Sequence, residues 1–414
     1  MLKQVFCIFI FLITSAHAVY PDTLYVGEGQ TYKSIKTALS AALDGDIIII
    51  QSGIYKEGNI KVDKRVSLRG AGMPVLDGED NNEVLTITAD GVEITGIKVI
   101  NTGITFMKDV AAIKVENSKY VTVRKNVFEN DFFAIYLSNS QYCTVDSNLI
   151  SGNAVSESFS GNGVHLWKCN NITVTDNIIS GQRDGIYFEF AKNSTITGNY
   201  SHNNLRYGLH FMFSEGNTYK KNIFSCNGAG VAVMYTKNVT MTQNRFENNW
   251  GSNSYGLLLK DIDHSIIEKN IFSGNTTGIY MESSSGTKIL NNNFLSNGWA
   301  FKILGNCYED TIELNNFLNN TFDISTNSSQ NLNKFNSNYW DRYDGYDLDR
   351  DGTGDIPYHP VSLFSTIVEQ SPESILLLRS FLVNLLDLTE RYIPVFTPQL
   401  LVDGNPRMKE VNND

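Results

Sequence analysis

The chain has 414 residues, with 33 Lys and Arg against 44 Asp and Glu, for a formal net charge of -11. That balance argues against nucleic acid or an anionic lipid surface as the main partner. With 32 Gly, only 8 Pro and frequent Asn, the composition predicts many tight turns, regularly repeated.

The sequence opens MLKQVFCIFIFLITSAHA. Lys3 supplies a positive start, residues 5–13 an apolar run, and Ala16-His17-Ala18 an A-x-A cleavage site, so residues 1–18 read as a signal peptide. The run is shorter than the ~20 residues that cross a bilayer, and no later stretch is long and apolar enough, so the exported protein is expected to be soluble. Cys7 lies inside the signal and no Cys follows the cleavage site, which gives no sign of a lipid anchor. Cys143, Cys169, Cys226 and Cys307 are far apart and form no C-x-x-C pair, so buried thiols are expected rather than a zinc site or disulfides.

After the signal, residues 32–43 predict a short amphipathic helix, placed to cap the open apolar end of a solenoid, and IIIIQSGIY from Ile47 predicts a strand. A short repeat then takes over. Units end in Asn126, Asn148, Asn177, Asn199, Asn222, Asn244, Asn270, Asn292 and Asn315, mostly 22 or 23 residues apart, with longer steps before Asn177 and Asn270. A second strand in each unit starts with a small residue, at Ala112, Ala134, Gly163, Gly185, Gly208, Gly230, Gly256, Gly278 and Ala300. Units this short leave no room for a crossover helix. They predict an all-β right-handed parallel β-helix over residues 19–337, in which the repeated Asn forms a side-chain ladder and tolerates left-handed backbone.

Alternation along the second strands sends two columns inward, one beginning at Ile113 and the other at Val115. The outward columns carry Tyr136, His165, Tyr187, His210 and Ala232 beside Ser138, Trp167, Glu189, Met212 and Met234. Thioether and imidazole together suit copper, Cu(I) above all, so His165, His210, Met212 and Met234 are candidate ligands. Cys169 and Cys226 flank these strands, and one could serve as a further soft ligand. Trp167, Tyr187 and Glu189 are candidates for a docking surface, since aromatic residues and Met are enriched where proteins meet. A solvated or loop-covered face would carry the same residues without either function.

Beyond Asn338 the repeat stops. Asp347, Asp349, Asp351 and Asp355 alternate around a glycine turn like the opening of a calcium loop, without the distant Glu that such a loop ends on, and any cation there would be structural. Residues 338–370 thus read as an Asp-rich loop region. Residues 371–393 predict a helix with Ser371 as N-cap, Pro372 at its first turn, and Pro394 and Pro398 beyond its end. Leu376, Leu377, Phe381, Val383, Leu385, Leu386 and Leu388 give it a broad apolar surface, so residues 371–414 are expected either to fold back on the solenoid or to dock on a partner.

Several of these segments together resemble the NosD family, periplasmic β-helix factors needed to mature the copper centres of nitrous oxide reductase. They are GNGVHLWKCNN from Gly161, RDGIYFEFAKNSTITGN from Arg183, YGLHFMFSEGN from Tyr207, GVAVMYTKNVTMTQNRF from Gly230, NYWDRYDGYDLDRDGTGDIPY from Asn338 and VDGNPRM from Val402. The resemblance implies work at the inner membrane beside the membrane and ATPase subunits of an ABC transporter. A copper chaperone lipoprotein would hand metal on, transiently as Cu(I), toward the apo-reductase. The family's His and Met positions fall on His165, His210, Met212 and Met234, and the apolar tail becomes a transporter-docking element. The rival reading is a carbohydrate-active β-helix enzyme, which needs clustered carboxylates; Asp131, Asp184 and Glu189 are the acids that could converge.

Overall fold

A computed structural model describes residues 21–105, 109–328, 331–392, 398 and 400–412. The expected signal peptide and Pro394 lie outside them. The chain winds about 14 turns of a right-handed parallel β-helix. Three parallel sheets of 14, 12 and 13 strands line its sides, and within them each strand pairs with its counterpart in the next coil. The register matches the sequence columns: Ile113 pairs with Ile135, Ile135 with Val164, Val164 with Ile186 and Ile186 with Leu209, all inside the core. On the third sheet the inward position carries Phe224, Phe246, Phe272, Phe294, Phe317 and Trp340. Their rings stack at centroid distances of 5.6, 4.6, 5.0, 4.8 and 4.1 Å.

The small residue opening each second-sheet strand has a steric cause. A Cβ on Gly230 would lie 2.3 Å from the Gly256 carbonyl oxygen, because successive coils approach closely there. The Asn ladder is continuous from Asn126 to Asn338. Asn222 is typical: Nδ2 donates to Ile196 O (2.9 Å) and Asn244 Oδ1 (3.0 Å), while Oδ1 accepts from Asn199 N and Nδ2, both at 3.0 Å. Each rung therefore both donates and accepts, satisfying backbone that the turn would otherwise bury unpaired. The left-handed residue is not the rung but its predecessor, as at Lys125 (φ 53), Lys221 (φ 54) and Gln243 (φ 58). A second ladder, which the repeat pattern alone does not separate, runs through Asn204, Asn227, Asn249, Asn275, Asn297 and Asn320 at the next corner.

The solenoid's first end is covered by α1 (Ile35–Ala41), whose Ile35, Ala38 and Leu39 join the core. Glu57 accepts from the Ile35 and Lys36 amides (2.7 and 3.0 Å), and Lys64 Nζ donates to the Leu39, Ser40 and Ala42 carbonyls (2.9, 3.0 and 2.7 Å). Charge of the favourable sign thus sits at each end of this short helix.

The tail departs from the expected single helix. Ser371 both closes α2 (Leu363–Gln370), whose own N-cap is Ser362, and stands as N-cap to a 3-10 helix (Pro372–Leu377) with Pro372 in its first turn, which leads to a separate α3 (Phe381–Tyr392). Phe364, Val368 and Val383 pack on Trp299 and Phe322 of the last coils, so the tail folds back on the solenoid. The chain then returns to close the second end: Asp403 pairs with Phe335 and Arg407 with Tyr339 in parallel bridges. Asp403 occupies the place of the next Asn rung. Its Oδ2 accepts from Asn338 N, Asn338 Nδ2 and Trp340 Nε1 (3.0, 3.0 and 3.1 Å), and Oδ1 from Ser337 N and Asn405 N (both 3.1 Å). No helix among the described residues is long and apolar enough to cross a membrane.

Candidate functional site

Five successive strands of the second sheet bear the candidate residues: Phe133–Ser138, Val164–Trp167, Asp184–Glu189, Tyr207–Met212 and Ala229–Lys237. Pairing places Tyr136, His165, Tyr187, His210 and Ala232 in one outward row and Ser138, Trp167, Glu189, Met212 and Met234 in the next. Position alone suggested solvent, yet both histidines are buried. The first row has closed into a stack of rings. His165 lies 4.6 Å from Tyr136, 4.7 Å from Tyr187 and edge-on to Phe133 at 5.2 Å; Tyr187 in turn meets His210 at 5.0 Å.

The two histidines are held differently. His165 Nδ1 is 3.0 Å from Asn162 Nδ2, and burial, reinforced by the charge of Arg183, drives its pKa down to about 3. It is a neutral ring at any physiological pH. His210 Nδ1 faces Arg206 Nη2 at 3.4 Å. A guanidinium only donates, so this geometry makes Nδ1 the acceptor and puts the ring proton on Nε2. That Nε2 is buried and has no hydrogen-bond partner, an unmet polar atom of the kind a ligand can satisfy. Beneath it Asp184, fully buried, takes Arg206 in a two-pronged pair (Nε 2.9 Å, Nη2 2.6 Å) and stands 3.9 Å from His210 Nδ1. Burial pushes the Asp184 carboxyl up, but the Arg206 guanidinium, joined to it by two hydrogen bonds, holds it below the usual carboxylate range.

Tyr187 links the rows. Burial raises its phenol to about 12, so it keeps its proton, and its hydroxyl donates to Met212 Sδ at 3.9 Å while its ring packs on His210. Met212 and Met234 are register partners on adjacent strands, both half-buried. The structure thus gathers His210, Met212 and Met234, whereas His165 stands two strands away with Tyr187 between it and His210. Trp167 and Glu189 are half-buried neighbours in the second row, with Lys168 Nζ 4.3 Å over the Trp167 ring. An unforeseen feature lies beside them. The left-handed corner after each strand carries Phe190, Phe213 and Tyr235, all exposed and stacked at 5.3 and 5.1 Å, where the neighbouring coils carry Lys168 and Asp261. Side chains with a Cβ are strained there, and branched or bulky ones most of all.

The thiols lie off the two outward rows. Cys169 belongs to the core cluster and faces the Leu137 and Trp167 carbonyls at 3.4 Å, and burial pushes its pKa up to about 12, which disfavours the thiolate that a soft metal takes. Cys226, expected to be buried, is exposed, because it occupies the left-handed corner (φ 53) before rung Asn227. Among the described residues, the group of three His, Cys, Asp or Glu side chains close enough to share a cation is Asp347, Asp349 and Asp351. Asp347 accepts from Asp351 N and Gly352 N (3.2 and 2.9 Å), whereas Asp355 turns aside to Leu348 N (2.7 Å). The enzyme reading needed Asp131, Asp184 and Glu189 to converge. Instead Asp184 is consumed by Arg206, Glu189 lies in the outer row, and Asp131 is a ladder rung accepting from Thr102 N (3.2 Å).

Comparison with known proteins bears on the fold and the family. The solved structures it resembles include the A-module of mannuronan C-5 epimerase AlgE6 from Azotobacter vinelandii, with TM-score 0.54, 14% identity, and coverage of 73% of this chain and 87% of that one. The adhesin PfbA of Streptococcus pneumoniae has TM-score 0.54, 13% identity, and coverage of 73% and 94%. At such identities these show the fold alone. Among sequences, "Probable ABC transporter binding protein NosD" of Pseudomonas aeruginosa is 27% identical over 374 residues, 85% of this chain and 86% of that one. Its namesake in Stutzerimonas stutzeri is 28% identical over 196 residues, 43% and 44% of the two chains. The sequence model of the family described as "Periplasmic copper-binding protein (NosD)" matches residues 40–158 and 150–345, and with most of the solenoid matched, this chain belongs to the NosD family.

Proposed function

We propose that this protein is a periplasmic, non-enzymatic accessory factor that holds Cu(I) transiently at His210, Met212 and Met234 and passes it toward apo-nitrous oxide reductase. The observation that carries the reading is Tyr187, whose ring rests on His210 while its hydroxyl holds the Met212 thioether, with Met234 next in register. Two soft sulfurs and an imidazole whose Nε2 lacks a partner form a donor set suited to Cu(I). Loading Nε2 requires the ring proton to move to Nδ1, which gives up its contact with Arg206 and stands 3.9 Å from Asp184 Oδ2, a carboxylate whose charge favours that tautomer. His165 then serves as a stacking spacer.

The test is an anaerobic Cu(I) titration against a competing chelator. Wild type is expected to bind, and a His210→Ala, Met212→Ala, Met234→Ala variant to lose affinity by about a hundredfold, the ~3 kcal/mol that two decades represent. Equal affinity of the two proteins would sink the assignment.

The partners in this reading are a copper chaperone lipoprotein, the reductase, and the membrane and ATPase subunits of an ABC transporter, through which the protein sits peripherally on the inner membrane. Trp167, Glu189 and the Phe190, Phe213 and Tyr235 strip flank the methionines and suit the incoming chaperone. For the transporter the tail offers an apolar surface that packing on the solenoid leaves open, with Leu376 87% and Phe381 81% exposed. A Leu376→Ser, Phe381→Ser variant is expected to lose co-purification with the transporter while its thermal unfolding stays within a few degrees of wild type. Retained co-purification would place the contact elsewhere.

We also propose that Asp347, Asp349 and Asp351 hold a structural calcium ion that pins the loop. Calcium is then expected to raise the unfolding temperature, and Asp347→Asn to abolish the rise. A melting curve indifferent to calcium and chelator would leave an Asp-rich turn.

A further inference from the structure

The second ladder has a missing rung. Ser151 pairs with Glu129 on one side and Ser180 on the other, so Asn153, two residues on, should stand between Asp131 and Gln182. Instead Asn153 is exposed, turned out by the loop of residues 153–162 that lengthens this coil. A cavity of about 360 Å³ opens in its place, walled by Asp131 and Gln182, by Ser160, and by the apolar Ile104, Phe132 and Phe159.

The broken rung leaves chemistry unmet. Asp131 and Gln182 are each more than nine-tenths buried, yet Asp131 Oδ2 and Gln182 Nε2 have no hydrogen-bond partner. Asp131 is held through its side chain, whose Oδ1 accepts from Thr102 N (3.2 Å), and Gln182 through its backbone, whose amide donates to Asn204 Oδ1 (3.0 Å). Gly152 gives the Gln182 amide its room, since a Cβ there would lie 2.5 Å from Nε2. Elsewhere in the ladder the rungs satisfy one another, so these two atoms carry an unrepaid desolvation cost that a bound molecule can remove.

A ligand that meets both atoms must present hydrogen-bonding groups at opposite edges, across roughly two coil spacings, ~10 Å between rungs. Hydroxyls suit either wall because each can donate and accept. Flat apolar faces match Phe132, Phe159 and Ile104. None of the lining residues is basic, and Asp80 stands at the rim, so an anion would find no counter-charge. We propose that this gap binds a neutral saccharide, one sugar ring lying between Asp131 and Gln182 with its carbon-hydrogen face against the phenylalanines. Burial pushes the Asp131 carboxyl well above its ordinary range, so it holds a proton more readily than an exposed acid and can offer that proton to a sugar oxygen. The site is independent of the copper reading and involves no turnover.

Saturation-transfer NMR on the purified periplasmic protein tests it, with glucose, galactose and N-acetylglucosamine as neutral probes and galacturonate as the charged control. Gln182→Met keeps the side chain's length and removes the donor; Ala154→Phe fills the mouth without touching a rung. At least one neutral sugar is expected to give a saturable signal, weakened about tenfold by Gln182→Met and abolished by Ala154→Phe. No saturable signal from any neutral probe, a signal that both variants leave intact, or a preference for galacturonate would each overturn the proposal.

Discussion

Replacing Asp403 by alanine is expected to destabilise the last coils by about 5 kcal/mol, because a buried carboxylate that five donors share is removed at one stroke. Hydrogen bonds to a charged acceptor are worth more than neutral ones, and the Asn338 and Trp340 donors would be left unpaired inside the core. The loss should be local. Coils of a solenoid interact chiefly with their neighbours, so the amides of residues 332–340 should lose protection from hydrogen exchange while those near Asn177 and Asn199 keep theirs. Asp403→Asn should cost less, about 2 kcal/mol: its single oxygen can serve the Oδ2 donors, but its amide then opposes the Ser337 and Asn405 amides. Unchanged protection in Asp403→Ala would mean that the returning tail does not seal the stack. Mid-stack the requirement reverses, since a rung such as Asn222 must donate onward and only an amide can.

The second large effect is expected at Asp184. Removing one member of a buried ion pair leaves the other short of its partner, so Asp184→Ala should cost about 3–5 kcal/mol, where loss of an exposed pair such as Lys192 with Glu215 should cost little. The pH dependence comes from the lowered carboxyl. Because the folded pKa lies below the unfolded value, the stabilisation is fully present above the unfolded value, about pH 4, and is lost as pH falls through the folded one. Acid unfolding of wild type should therefore contain a component below about pH 4 that the Asp184→Ala variant lacks. The variant should also bind Cu(I) more weakly, since Arg206 would keep its full charge beside His210. Matching acid-unfolding profiles of the two proteins would refute this role for the pair.

Much of the architecture was legible because a coil repeats its chemistry every 22 or 23 residues. The inward columns, the Gly column and the first Asn ladder each express one local demand many times, and repetition makes the demand visible. Burial of the histidines was not legible. Alternation says which side a ring leaves the strand, but not that Tyr136 and Tyr187 would cover His165 from neighbouring coils. The left-handed corner was misassigned because Lys125, Lys221 and Gln243, all ordinary residues, occupy it beside a regularly placed Asn. Asp403 closes a rung 65 residues from its partner Asn338, a contact no local pattern announces. The helix α2 did carry a signal, Ser362 with an apolar turn behind it, but the Asp-rich run before it drew the boundary too late.

Every coil of this protein is a template for the next, which means that an uncovered end would be a template for another molecule. Parallel strands at a bare last turn would offer unpaired amides and carbonyls in a geometry that the first turn of a second copy could continue. Here α1 blocks one terminus and the Asp403 segment the other. The acidic rung has a particular merit as a stop: having no amide hydrogens to pass on, it cannot recruit a further Asn. A seven-residue helix and one carboxylate thus stand where the next coil of an end-to-end filament would have to begin.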